Sequence, residues 1–257
     1  MKTVILAGGL GTRLSEETAA RPKPMVEIGG RPMLWHLLQL YSRFGFDEFA
    51  IALGYRQEII KDYFSSLSAT MNDLTIDFRA GTVDRVERLR LPWRVHLVDT
   101  GPATMTGGRI KRLAGILGRE TFMCTYGDGL ASIDVAELVA FHRRTGRLAT
   151  ITAVRPPARF GTLEIEGDRV RQFVEKPQAS EGWINGGFFV FEPAIFERIG
   201  GDETLLEHEP LMELAEEGQL SVFKHEGFWQ PMDTLRDKRL LEELWASGSA
   251  PWLQATR

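Results

Sequence analysis

A chain of 257 residues suffices for one large domain or two small ones, and a chain of that size buries about 70–75% of the surface its unfolded form exposes. Its residues are 43% hydrophobic and 26% charged, and 31 Lys and Arg against 35 Asp and Glu leave a net charge of −4, so no strong basic field calls for nucleic acid or an anionic membrane surface. One cysteine, Cys124, excludes an internal disulfide, no apolar run approaches the roughly 20 residues of a membrane span, and the expectation is a cytoplasmic globular protein.

Val4–Ala7 is a short apolar run closed by Gly8-Gly9, which predicts a buried first strand rather than a leader peptide. A helix over Pro32–Tyr41 opens with proline in its first turn and ends at Gly45. Phe49–Leu53 follows as a strand, and Gly54-Tyr55 leads into a helix over Gln57–Phe64. Residues 66–94 have mixed polarity and a basic tail (Arg85, Arg88, Arg90, Arg94) and read as an inserted hairpin or excursion, the arginines as a solvated face or a subunit contact. Val95–Val98 is a strand, Lys111–Gly118 a helix, Phe122–Tyr126 a strand ending at Gly127-Asp128-Gly129, Val135–Arg144 a helix and Ala149–Val154 a strand. This alternation predicts an α/β fold, a doubly wound, mostly parallel, Rossmann-like mixed sheet with helices on both faces.

After Pro156-Pro157 the pattern changes to strands over Gly161–Ile165, Val170–Glu175 and Phe188–Phe191, a helix over Pro210–Glu217, a strand over Leu220–Lys224 and a helix over Leu235–Trp245. These predict a smaller α+β part on the same sheet, so that 1–257 forms a single domain of two halves, 1–155 and 156–257.

Gly8-Gly9-Leu10-Gly11-Thr12-Arg13 follows the first strand directly. Glycines there let backbone N–H groups approach an anion, and Arg13 adds a planar fork for phosphate oxygens. The dinucleotide fingerprint fails, because Leu14 stands where its third glycine belongs, and no lysine completes a Walker A loop. On shape alone the segment is a phosphate loop or a tight turn. In Arg21-Pro22-Lys23-Pro24-Met25, two prolines stiffen the backbone around Lys23 and present its ammonium from a fixed segment. Asp128, between two glycines, reads as a ligand or a turn residue, and Asp233, before Thr234 and a helix, as a ligand or a helix cap. His36 on an apolar helix face reads as packed, Cys124 as buried and inert, and His96, His142 and His208 share no metal-ligand spacing. The six tryptophans are too scattered along the chain for a stacking platform, Trp229 near Asp233 excepted.

The pair G-G-x-G-T-R and P-K-P resembles the signature of the sugar-1-phosphate nucleotidyltransferases, and Tyr126-Gly127-Asp128-Gly129, Glu175-Lys176-Pro177, Asn185-Gly186-Gly187 and Gln230-Pro231-Met232-Asp233 resemble that family's later motifs in order. Stretches such as Met105-Thr106-Gly107-Gly108-Arg109 and Gly227–Lys238 are similar to its cytidylyl-transferring members, and the likeness departs most in 66–94. The resemblance implies CTP and α-D-glucose 1-phosphate as substrates, with uridylyl or thymidylyl transfer, or a non-catalytic nucleotide-sugar-binding protein, as alternatives. It implies that the backbone of Leu6, Ala7, Gly8, Gly9 and Leu10 holds the nucleoside and that Gly11, Thr12 and Arg13 hold the triphosphate. Lys23 then neutralises the phosphates at the reacting phosphorus, Asp128 and Asp233 ligate Mg²⁺, Lys176 grips the sugar phosphate, and Asn185 and Gly186 bind sugar hydroxyls. Thr104 and Arg109 fall in the pyrimidine-reading loop, where Gly107 and Gly108 would let backbone approach the base. Thymidylyl-transferring relatives carry a Gln-containing motif nearby; Thr106-Gly107-Gly108 stands here instead, which favours cytosine. The resemblance also implies a homo-oligomer built on trimers, up to a hexamer.

Overall fold

In a computed structural model of the protein, which describes residues 1–9, 14–18, 20–86, 90–156, 162–166, 169–174 and 182–254, the longer apolar runs assemble into one sheet. Its strands are β1 (Thr3–Ala7), β2 (Glu48–Leu53), β3 (Arg94–Asp99), β4 (Phe122–Tyr126), β5 (Ala149–Val154), β6 (Ile184–Phe191) and β7 (Leu220–His225). They lie in the order β7-β5-β6-β4-β1-β2-β3. Every neighbouring pair is parallel except those of β6, which is antiparallel to β4 and β5. The α/β, mostly parallel reading therefore holds; of the C-terminal strands β6 and β7 complete the same sheet, while Thr162–Glu166 and Arg169–Val174 pair with each other in a separate antiparallel ribbon.

Alternate residues of each central strand enter different cores. Ile5, Ala7, Phe49, Ile51, Met123 and Phe188 face one side, and Val4, Leu6, Ala50, Ala52, Cys124 and Phe189 the other. Both faces are buried because helices cover both. Helices α1 (Met33–Ser42), α4 (Val135–Thr145) and α6 (Leu235–Ala246) supply Leu34, Leu37, Leu138 and Leu241 to the first core. Helices α3 (Thr106–Arg112) and α5 (Glu209–Glu216) supply Ile110, Leu211 and Leu214 to the second. Among the described residues no helix is long and apolar enough to cross a membrane.

Two helices differ from expectation. Helix α2 (Gln57–Met71) continues past Phe64. Ile60, Phe64, Leu67 and Met71 keep the helical spacing, while Ser66 and Thr70 return their hydroxyls to carbonyls four residues back at 2.8 and 2.9 Å. The insertion therefore starts later, as an antiparallel hairpin of Asp73–Asp77 with Thr82–Val86; Arg90 and Arg94 are exposed, and Arg88 lies outside the described residues. Helix α3 begins at Thr106, five residues before the expected start, and a separate turn follows over Ala114–Leu117. The N–H groups of Met105 and Gly107 bond to Asp202 O and Thr204 O at 2.8 and 2.9 Å. External carbonyls thus take donors that a glycine-rich helix start would otherwise leave to water.

Three of the six tryptophans, distant in sequence, gather in space. Trp35, Trp245 and Trp252 surround His36, with ring centroids 5.1, 5.0 and 5.8 Å from the imidazole. His36 is fully buried. Trp252 Nε1–H donates to its Nδ1 at 3.2 Å, so Nε2–H donates to Ile28 O at 2.8 Å and the ring is neutral. Burial lowers its pKa from 6.5 to about 4. The unfolded chain therefore takes up a proton first as pH falls: this contribution to stability is intact above pH 6.5 and is lost toward pH 4. The loss amounts to roughly 3 kcal/mol. Thermal melts between pH 7 and pH 4.5 are expected to show a falling Tm that flattens in His36→Gln, which keeps a donor for Ile28 but does not titrate; parallel curves would exclude His36 as the source.

Candidate active site

The chain crosses the sheet outward from β1 through β2 to β3 and then returns past β1 to β4. This reversal leaves a crevice at the carboxyl ends of β1 and β4, where α/β sheets take ligands. A cleft of about 330 Å³ lies there, lined by Leu6–Gly9, Lys23, Thr104–Thr106, Arg109 and Tyr126–Asp128. Its floor depends on Gly127. The Gly127 N–H donates to Leu6 O at 3.0 Å, and a Cβ there would stand 2.9 Å from that oxygen and 2.7 Å from Pro24 Cγ.

Pro22 (φ −65°) leads into a single tight turn over Lys23–Met25, and the stiffened backbone aims Lys23 into the cleft. Its Nζ donates to Asp128 Oδ2 at 2.7 Å and to Asp233 Oδ1 at 2.6 Å. The carboxylates come from segments 105 residues apart. A two-stranded ribbon joins them: Gly129–Ala131 pairs with Trp229–Pro231, and Met232 N–H donates to Asp128 O at 2.8 Å. Asp128 keeps the turn position its flanking glycines allowed, whereas Asp233 does not cap the helix that follows it. Asp128 turns to Lys23, and α6 is capped by Thr234, whose Oγ1 accepts Asp237 N–H while the Asp237 carboxylate accepts Thr234 N–H, a reciprocal box. The ion pairs are well shielded, with side-chain exposures of 9% for Lys23, 14% for Asp233 and 35% for Asp128. Burial pulls the Lys23 pKa down, but the two carboxylates outweigh it and hold the ammonium above the ordinary lysine value.

Two carboxylate oxygens trained on one cation are half of a hard-metal site. Among the described residues no cluster of three or more His, Cys, Asp or Glu could hold a metal. The donor set fits an oxygen-ligated divalent ion that completes its shell with phosphate and water. Lys23 and such an ion would share the same two oxygens.

On the opposite wall Arg109 is 4% exposed. Its guanidinium donates to Leu53 O, Thr100 Oγ1, Gly101 O and Gly8 O at 2.9, 2.7, 2.8 and 3.1 Å. It lies directly over Gly8 and Gly54, where a Cβ would come within 2.1 and 2.6 Å of it. Its donors are thus engaged in bracing the end of β1 against the 100–102 loop. Gly107 and Gly108 likewise turn toward protein instead of the cleft: a Cβ would stand 2.8 Å from Thr204 O and 2.6 Å from Asp202 Cα. Their missing side chains admit the 202–204 segment. Thr104, 7% exposed, remains on the cleft wall.

Asn185, the second residue of β6, lies beside Tyr126, its Nδ2–H donating to Tyr126 Oη at 3.2 Å, and Gly186 O accepts Trp229 Nε1–H at 2.9 Å. The cleft edge also holds Glu207, which accepts the hydroxyls of Tyr126 and Thr106. Nothing in Leu206-Glu207-His208-Glu209-Pro210 distinguishes Glu207 from the ordinary acids of a helix start. Leu10, Gly11, Thr12, Arg13 and Lys176 lie outside the described residues.

Residues 2–230 match the Nucleotidyl transferase family, and the chain belongs to it. It is 52% identical over 253 residues to the glucose-1-phosphate cytidylyltransferase of Salmonella typhi, covering 98% of each chain. The same identity and coverage relate it to the enzyme of that name from Salmonella typhimurium. In fold it is similar to the crystal structure of HddC from Yersinia pseudotuberculosis, with a TM-score of 0.69 at 24% identity over 95% of this chain and 99% of the other.

Proposed function

We propose that the protein transfers a cytidylyl group from CTP to α-D-glucose 1-phosphate, forming CDP-glucose and pyrophosphate. The observation that carries this reading is the convergence of Lys23, Asp128 and Asp233 in the cleft that Gly8 and Gly9 line after β1, in a chain so similar to enzymes named for that reaction. The sugar phosphate is its own nucleophile. Its oxygen attacks the α-phosphorus in line, the bond to the bridging oxygen breaks, and pyrophosphate leaves with those electrons. Positioning and charge stabilisation then do most of the work.

In this reading Gly8-Gly9 bring backbone N–H groups to the nucleotide, and Gly11–Arg13 hold the triphosphate. Lys23 offsets charge developing at the α-phosphorus, Lys176 holds the sugar phosphate, and Asn185 with Gly186 meets the sugar hydroxyls. Asp128 and Asp233 hold Mg²⁺, and the bound ion supplies charge neutralisation to the phosphates. Arg109 acts indirectly, by fixing the carbonyl of Gly8 and hence the turn. The shared sheet supports treating 1–257 as one nucleotidyltransferase domain, with 1–155 as its nucleotide side and 156–257 as its sugar-phosphate side. A cytoplasmic homo-oligomer built on trimers accompanies the proposal. The exposed apolar residues of the hairpin, Ile76, Phe78 and Val83 among them, support self-association.

Base choice is tested by pyrophosphate release with four nucleotides crossed against several sugar 1-phosphates. Cytosine offers an amine donor where uracil offers an oxygen acceptor, and a pocket built for one edge leaves buried polar groups unpaired against the other. CTP is expected to exceed UTP by at least roughly 10²-fold in kcat/KM with glucose 1-phosphate. Equal values would defeat the cytidylyl assignment and leave nucleotidyl transfer standing.

A further inference from the structure

Glu207 uses its two oxygens on two different walls of the cleft. One accepts the Tyr126 hydroxyl. The other accepts Thr106 Oγ1–H at 2.7 Å, and Thr106 Oγ1 in turn accepts Leu206 N–H at 2.9 Å, which anchors the carboxylate. The Tyr126 hydroxyl has a single hydrogen, and it donates it in the bond to Glu207. Toward Asn185 the phenol oxygen can therefore only accept, and it accepts Nδ2–H at 3.2 Å. Asn185 Oδ1 is occupied by Gly187 N–H at 2.9 Å. The amide is thus pinned at both ends, and its second Nδ2 hydrogen is the donor left for a ligand. Gly187 makes room for this arrangement: its φ is +82°, and a Cβ there would stand 2.4 Å from Tyr126 Cδ2.

We propose that Glu207 is a positioning residue for acceptor-sugar specificity: by accepting the hydrogen bond of the Tyr126 O–H it leaves the phenol oxygen as an acceptor for Asn185 and holds that amide as a hydrogen-bond donor toward a sugar hydroxyl. The proposal rests on the reading that Asn185 meets the sugar of a sugar 1-phosphate. Without Glu207 the Tyr126 proton turns toward the Asn185 amine, donor meets donor, and the amide loses its support.

The test compares wild-type protein, Glu207→Ala, Tyr126→Phe and their double variant, with CTP and glucose, galactose or mannose 1-phosphate. Each single variant is expected to raise KM for glucose 1-phosphate about tenfold, the scale of one hydrogen bond to a charged group, with kcat and the KM for CTP within about threefold. The preference for glucose over its epimers falls, and the double variant is no worse than either single one. Glu207→Gln, which keeps an acceptor oxygen for Tyr126, is expected to stay within about threefold of wild type in that KM, and with Tyr126→Phe it carries the test if Glu207→Ala does not fold. Wild-type turnover on glucose 1-phosphate stands or falls with the parent reading alone. Given that turnover, the inference is overturned by an unchanged KM and epimer preference, by losses that multiply in the double variant, or by a joint fall of kcat, both affinities and Tm.

Discussion

Asp128→Asn and Asp233→Asn are each expected to lower pyrophosphate release by roughly 10³-fold, the scale on which a preorganised charge contact acts in a shielded site. Asparagine keeps the shape and one oxygen but loses the charge that holds a divalent ion. The fold is expected to survive in both. The ribbon that joins the two segments is made of backbone bonds, α6 is capped by Thr234 and Asp237, and in each variant Lys23 keeps one charged partner. Asp233 is the more shielded of the two carboxylates, so its replacement costs more stability. Two measurements check this: release against Mg²⁺ concentration, and the rise of Tm on adding Mg²⁺, which ligand binding to the native state must produce. Near wild-type release with an undiminished Tm response in either variant would remove that residue from the metal site.

Lys23→Ala is expected to reduce kcat by roughly 10²- to 10³-fold while changing the KM for either substrate far less, because its charge is needed most where negative charge develops at the α-phosphorus. Its effect on the metal has the opposite sign. In the wild-type protein the ammonium bonds to both carboxylates, so a divalent ion has to compete for those oxygens. The variant removes an ammonium to which both carboxylates are bonded in the shielded cleft, which lowers Tm in chelator. It is also expected to make the stabilisation by Mg²⁺ larger than in wild type. A variant with normal kcat, or one that responds to Mg²⁺ less than wild type does, would place Lys23 outside this role. The two aspartates and the lysine thus leave distinguishable signatures in the same pair of assays.

What the sequence determined by itself is local. The apolar runs at 49–53, 122–126 and 149–154 became strands within a residue of where their composition set them, because a short β-branched or aromatic run buried on both faces carries its own signal. The glycine pair that ends β1, the proline-stiffened Lys23 and the aspartate after β4 were legible for the same reason: each is a strand end or a rigid dipeptide whose chemistry depends on its immediate neighbours. Tertiary structure alone decided what those residues face. It brought Asp128 to Asp233 through a ribbon of three residues a side, gathered three tryptophans around His36, engaged the guanidinium of Arg109 on the cleft wall with surrounding carbonyls, and turned Gly107 and Gly108 to the 202–204 segment. It also made Glu207 a partner of Tyr126 across 81 residues. Such contacts follow from how the sheet is wound and which helices pack against it, and a single chain's periodicity has no term for the approach of two segments a hundred residues apart.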